Sequence, residues 1–247
     1  DQNPRQNEAF CPSVIGFGEN VNAAIDQRMR RVAKVAGIPV EAEADCNPNM
    51  HLVRVEDGPK MIKLLRQKRA RQAFGWMPIH QRSGLERLPG PAFSWQQTLP
   101  FSAQEGLAIP TGNTPGIFGG EPASNYVAPG CSNPRLCLPI ELSFRHAVVL
   151  IERAALDDVS VIQMADYALM RGLAQVREDR FRRTARDADT ILNLFDESVP
   201  VDERMPSIGR MDLAMLTALY AAPDNVDASR QRGRMVKTFR AVLEDLD

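Results

Sequence analysis

The chain has 247 residues, of which 44% are hydrophobic and 25% are charged, and its formal net charge at pH 7 is −1. This composition is that of a globular protein, and the chain is long enough to fold around its own core without a metal or a disulfide. The near-zero charge gives no overall attraction to nucleic acid or to an anionic membrane. No apolar run approaches the roughly 20 residues of a transmembrane segment.

The beginning of the chain and its cysteines indicate an exported protein. The first ten residues, DQNPRQNEAF, are polar, as after removal of a signal peptide, although an artificial start would look the same. Four cysteines are present without a C-x-x-C pair, which disfavours a zinc ribbon. An even count predicts two disulfides. Of three possible pairings we expect Cys11–Cys46 and Cys131–Cys137; the alternative is four reduced cysteines in a cytoplasmic protein.

The first half of the chain predicts strands and two amphipathic helices. Residues 13–18 and 51–57 form apolar or alternating runs that predict strands, and a third strand is expected at 38–44. Apolar residues recur at helical spacing over 19–37, with Gly37 as a stop signal. A second helix is expected over 58–75. It carries basic residues without acids, which we interpret as a solvated face: Lys60, Lys63, Arg66, Lys68, Arg69 and Arg71.

The second half predicts long strands and then helices only. Residues 76–94 read as loop or short turns, 93–102 as a strand, 112–134 as a long Gly/Pro-rich loop and 136–153 as one or two strands. A buried helix follows at 161–175, where Ser160 and Gln163 form a capping box. Further helices are expected at 210–220 and 228–246. This order predicts a single α+β domain over 1–247, with a twisted mixed sheet backed by helices.

The helix at 161–175 contains a spacing that is known from zinc proteases. From Ala165 onward it reads A-D-x-x-L-x-x-G-x-x-Q, where metzincins have H-E-x-x-H-x-x-G-x-x-H. Histidines four apart on a helix share one face and can bind one zinc ion. Here Ala165 and Leu169 stand at those two positions and Gln175 at the third, while Asp166 replaces the glutamate. Gly172 stands at the glycine position, where the resemblance implies a left-handed conformation that ends the helix and turns the chain.

Two further segments extend this resemblance. Residues 189–195, DTILNLF, resemble the methionine turn below the metal in metzincins, with Leu192 at the methionine position. The segment 205–223 resembles their closing helix, which begins with an aspartate, here Asp212, and ends in Leu-Tyr. Residues 148–223 as a whole resemble a group of exported alphaproteobacterial proteins that look like metzincin (zincin) proteases without the zinc ligands. The alternative is that 161–175 is an ordinary core helix.

The resemblance implies a non-catalytic protein with no bound zinc and no other cofactor. We expect it to bind a peptide, a protein or a cell-envelope component in a relict cleft, with the helix 161–175 as its floor and Asp166 and Gln175 as binding residues. The first alternative is a peptidase-like hydrolase with a non-standard site, for which Asp166 and His146 are weak catalytic candidates. A metal-dependent enzyme with ligands from distant positions is a further alternative. The other histidines, His51 and His80, lie in no local ligand motif.

Overall fold

The computed structural model describes residues 3–42, 46–67, 74, 77, 79–102, 140–176, 189–223 and 226–245. Its strands are β1 (Arg5–Gln6), β2 (Pro12–Ile15), β3 (Met50–Val55), β4 (Ala92–Ser102) and β5 (Ile140–Glu152). Its α-helices are α1 (Glu19–Val35), α2 (Gly58–Leu65), α3 (Ile79–Leu85), α4 (Val161–Leu173), α5 (Arg210–Ala221) and α6 (Ala228–Asp245). The predicted loop at 112–134 and both Cys131 and Cys137 lie outside these residues.

The strands form one mixed sheet around the long strand β5. Strands β2, β3 and β5 are parallel neighbours, and α1 connects β2 to β3. The antiparallel strand β4 pairs along its whole length with one edge of β5. On the other edge of β5, β1 pairs with residues 143–144 and β3 with residues 147–152. Helices cover this sheet, which confirms the predicted α+β class with a mixed sheet. None of the described helices is long and apolar enough to cross a membrane.

The sheet has two differently packed faces, because side chains alternate along each strand. The first face carries Met50 and Leu52 of β3 with Ala147 and Val149 of β5, and it packs in the main core with α1 and α4. The second face carries Val55, Phe93, Trp95, Val148 and Leu150, which form a smaller cluster with Ile62 of α2 and Leu85 of α3. Any function of the α4 helix therefore belongs to the first face.

Helix ends were predicted accurately where the sequence carries cap residues. Gly37 follows α1 with a φ of 74°, a conformation that favours glycine, and the amide of Ile38 donates to the carbonyl of Ala33 at 2.9 Å. Ser160 and Gln163 form the expected capping box at the start of α4. The end of α1 and the start of α4 are therefore set by local interactions that their own sequences encode.

Two sequence-based assignments were wrong. The expected strand at 38–44 is reduced, among its described residues, to an isolated bridge between Phe10 and Val40. The expected loop at 76–94 contains α3, which is short and carries few apolar residues, so its period was not visible. Leu85 is nevertheless buried in the second-face cluster. Tertiary packing thus stabilises a helix that its own sequence does not predict.

One of the two predicted disulfides lies in the described residues. Cys11, at the start of β2, is bonded to Cys46, and the two are separated by 35 positions. We expect replacement of both cysteines by serine to lower the free energy of unfolding by about 2 kcal/mol, near the low end for native bridges because the core is large. Urea denaturation would measure this loss. A free thiol at Cys11 or Cys46 in the unreduced native protein would contradict the assignment.

Candidate functional site

The α4 helix holds no open metal site. Ala165 and Leu169, at the positions of the first two ligands in the protease motif, are fully buried in the main core. Gln175, at the third position, lies beyond the end of the helix and is exposed. Within the described residues no group of three or more His, Cys, Asp or Glu side chains could hold a metal ion. The predicted cleft floor is therefore packed rather than accessible.

Asp166 is fully engaged in structural contacts. Its side chain is 0% exposed, and its two carboxylate oxygens accept hydrogen bonds from Arg28 of α1 at 2.8 and 2.7 Å. The backbone amide of Ile208 donates a third bond at 2.7 Å. The hydrogen bonding that Arg28 donates to Asp166 raises the pKa of Arg28. A carboxylate that is held in this way joins α1, α4 and the segment before α5, and it has no free face toward a substrate.

A second buried carboxylate, Asp212, holds the turn that resembles the methionine turn. It accepts hydrogen bonds from the Thr190 hydroxyl, from the Ile191 amide at 2.8 Å and from the Gly209 amide at 3.2 Å. Burial raises the pKa of Asp212, and these three bonds oppose that shift. The turn begins a short helix, Ile191–Phe195, that packs against α4.

One ring contact and a small cavity complete this region. The rings of Tyr167 and Phe195 meet edge to face, with centroids 4.8 Å apart. A cavity of about 30 Å³ lies beside Tyr167, Arg171 and Leu192. That volume suits one or two water molecules rather than a peptide. The contacts between α4 and the short helix Ile191–Phe195 are therefore those of a packed core.

Gly172 does not have the backbone conformation that the resemblance predicts. It lies inside α4 and is not among the glycines with a positive φ, and the chain turns extended only at Ala174. The glycine is instead required by close packing: an added Cβ would lie 2.7 Å from the sulfur of Met50. Met50 is itself fully buried on the first face of the sheet. The close approach of α4 to β3, and not a left-handed turn, explains this glycine.

We expect Gly172→Ala to lower the free energy of unfolding by about 1 kcal/mol. Overpacking costs about 1–3 kcal/mol, and alanine recovers roughly 0.5–1 kcal/mol of helix propensity. Urea denaturation would measure the difference. The smaller side chain in Met50→Val should remove the penalty in the double variant. A Gly172→Ala protein with a higher urea midpoint and an unchanged m-value would contradict this packing.

The larger cavity lies on the opposite face of the sheet, against α2. Its volume is about 370 Å³, within the range of roughly 300–1,000 Å³ for small-molecule pockets. The walls are mostly apolar and come from β2, β3, β5 and α2: Ile15, Val53, Met61, Leu65, Val148 and Leu150. The polar lining consists of His51, His146 and Gln97. The fold thus places three polar side chains together within an apolar surface.

The two histidines form a pair across neighbouring strands. His51 lies on the second face of the sheet with Val53 and Val55 of β3. His146 lies on the same face with Val148 and Leu150 of β5. Their ring centroids are 6.1 Å apart, and the ring planes differ by 29°. Nδ1 of His146 is buried and makes no hydrogen bond among the described residues. The backbone of Pro48 interacts with the His146 ring and raises its pKa. The two rings, which both line the cavity, are candidate partners for a bound molecule.

Burial keeps both imidazoles uncharged near neutral pH. Desolvation lowers the pKa of His51, and the neighbouring His146 lowers it further. Desolvation is also the main reason for the lowered pKa of His146, to which Arg145 adds, while Glu8 and the Pro48 carbonyl act in the opposite direction. The pair therefore presents neutral rings, each with one donor and one acceptor nitrogen.

The structure separates the two residues that the sequence suggested as a catalytic pair. Asp166 lies between α4 and α1 on the first face of the sheet, whereas His146 lines the cavity on the second face. Sequence reasoning missed the partner of His146, which is His51. A signal was available: H-x-V-x-V in β3 and H-x-V-x-L in β5 place each histidine on the same face as two apolar residues.

Comparisons with known proteins gave no match. No protein-family model fits the chain, and no curated protein and no solved structure is significantly similar to it. The resemblance to metzincins therefore depends only on the three segments 161–175, 189–195 and 205–223. The geometry of the cavity carries the functional argument.

Proposed function

We propose that the protein is a non-catalytic binding protein, and that the cavity between α2 and the second face of the sheet is its ligand site. The observation that carries the proposal is the 370 Å³ cavity with apolar walls and three convergent polar side chains. Pockets of this composition bind small molecules by burying apolar surface, while a few polar groups fix the orientation. The site lies away from the helix that resembles a protease motif.

The chemistry of the described side chains supports a non-catalytic role. The histidines face apolar residues and a glutamine, and no carboxylate, hydroxyl or thiol is among the described residues that line the cavity. Asp166 and Asp212, which could act as acids or bases elsewhere, are buried and bonded to neighbouring groups. The alternative hydrolase would require Asp166 near His146, and the two lie on opposite faces of the sheet.

The metzincin-like ancestry and the export belong to the same proposal. Asp212 at the start of α5 bonds to the turn at Thr190 and Ile191, and that turn packs against α4, which supports a relict of the protease arrangement. The disulfide Cys11–Cys46 supports an exported, periplasmic or extracellular protein. Of the expected ligand classes, the cavity fits an apolar part of a cell-envelope component better than a polar peptide.

Filling the cavity tests this function. We expect wild-type protein to bind the neutral apolar dye Nile red, and Val53→Trp to abolish binding, because the indole would occupy the space beside His51 and Leu150. The matched control is Val35→Trp, since Val35 is 64% exposed on α1 and outside the cavity. Fluorescence titration of both variants decides the matter. Equal dye binding by the two variants, or none by the wild type, would refute the proposed site.

A further inference from the structure

We propose that the cavity takes an uncharged amphiphile, with its apolar chain along β3, β5 and α2 and a single hydrogen-bonding head group at His51 and His146. This inference rests on the proposed function and names the ligand class of the same site. It is carried by three observations: the mostly apolar lining, the two imidazoles of His51 and His146 within that lining, and the absence of a Lys or Arg side chain among the described lining residues.

The apolar part of the cavity accounts for the chain of the ligand. Val148 and Leu150 form its floor on β5, and Met61 and Leu65 form a wall on α2. Ile15 on β2, at the edge of the sheet, is 50% exposed and adds apolar surface to the same lining. Covering this surface with an alkyl chain removes it from water, at about 25 cal/mol for each Å² buried.

The polar end accounts for the head group. His51, His146 and Gln97 are the polar side chains among the described residues that line the cavity. A hydroxyl group both donates and accepts, so it can serve neutral imidazoles in either tautomer. The ring centroids of His51 and His146 are 6.1 Å apart, so either ring can be its partner.

The charges around the histidines argue against an anionic head group. A carboxylate in the cavity would lose its hydration and would find no cation on the described lining. Arg145 and Glu8, the charged residues that act on His146, have opposite effects on it and are both exposed. Lys60 and Lys63 of α2 are exposed as well, whereas Met61 and Leu65 of that helix face the cavity.

Binding of this kind of ligand must weaken in acid. A neutral ligand that pairs with neutral rings competes with protons for the same nitrogens. Because the pKa values of His51 and His146 lie below the ordinary histidine value of 6.5, affinity should be constant above that pH and fall as the pH drops through the lowered values. A carboxylate ligand would show the reverse trend, because protonated imidazole would attract it.

The test is displacement of Nile red by 1-decanol and by decanoate, two probes that share a chain and differ in the charge of the head. At pH 7.5 we expect decanol to displace the dye at concentrations at least tenfold lower than decanoate. His146→Leu should remove this preference, whereas His146→Gln, which keeps a donor and an acceptor, should retain it. Between pH 7.5 and 5 the apparent affinity of the wild type for decanol should fall, and that of His146→Gln should change less.

The outcomes separate this inference from the proposed function. If Nile red binds but decanoate displaces it as well as decanol does, the ligand class is wrong and the binding site stands. If the preference for decanol survives in a folded His146→Leu protein, the head group lies elsewhere and the inference fails. If Nile red does not bind at all, the proposed function fails first. Circular dichroism of each variant confirms that the comparison is made between folded proteins.

Discussion

Asp166→Ala should lower the free energy of unfolding by about 4 kcal/mol. Removing one partner of a buried ion pair typically costs about 3–5 kcal/mol, because the remaining charge loses its compensation. Here the carboxylate is 0% exposed, Arg28 is 25% exposed, and the amide of Ile208 would also lose its acceptor. Urea denaturation of the wild type and the variant, analysed with a common m-value, would measure the loss.

The same helix α1 offers a matched control for this prediction. Arg30 pairs with Asp26 four residues earlier, and both side chains are partly exposed. We expect Asp26→Ala to cost only about 0.3–0.5 kcal/mol, as for other helix surface pairs. A loss below 1 kcal/mol for Asp166→Ala would show that its carboxylate is not held as described and would reopen a catalytic role. Nile red binding by folded Asp166→Ala should equal that of the wild type.

Gly58→Ala should cost about 3 kcal/mol and should also abolish dye binding. Gly58 begins α2, where its amide donates to a carboxylate oxygen of Glu152 at 2.7 Å and Asp57 caps the helix. An added Cβ would lie closer than 3.0 Å to three carbons of the Phe93 ring. Because that ring is rigid and buried, α2 must move away from the sheet, and overpacking of this kind costs at least the usual 1–3 kcal/mol.

The control for this change is Gly233→Ala in α6. Gly233 is exposed and helical, and an added Cβ would meet nothing within 4 Å. Alanine there should raise the free energy of unfolding by about 0.5–1 kcal/mol through helix propensity. If Gly58→Ala is as stable as the wild type, α2 does not pack on Phe93 as described, and the cavity wall formed by Met61 and Leu65 loses its support.

Local signals in the sequence were sufficient for much of the fold. The period of α1 and its Gly37 stop, the capping box of α4 and the alternation of β3 each depend on neighbouring residues, and each was predicted correctly. The order of the elements, with strands and helices mixed at first and helices alone at the end, predicted the α+β class. Segments whose structure depends on distant residues were not predicted correctly. Helix α3 is an example, because Leu85 is buried in a cluster with residues that are distant in the sequence, such as Val148 and Leu150.

The proposed site depends almost entirely on contacts between residues that are distant in the sequence. A motif spacing indicates which residues share a helix face, but it does not show whether that face is covered. Here Ala165 and Leu169 face the core, and Gly172 is a glycine because Met50 approaches from β3. The histidine pair could have been anticipated from the alternation in β3 and β5, given that the strands are parallel neighbours. That pairing, with Leu52 beside Val149, is not written in either strand alone.

Imidazole nitrogen NMR during a decanol titration at pH 7.5 tests the central claim most directly. The resonances of His51 and His146 would be assigned by His51→Gln and His146→Gln. We expect both rings to shift with the same saturation curve, while the backbone amides of Ala165 and Leu169 in α4 stay unchanged. Unmoved histidine resonances, together with shifts in those α4 amides, would place the ligand at the protease-like helix and contradict the cavity beside α2.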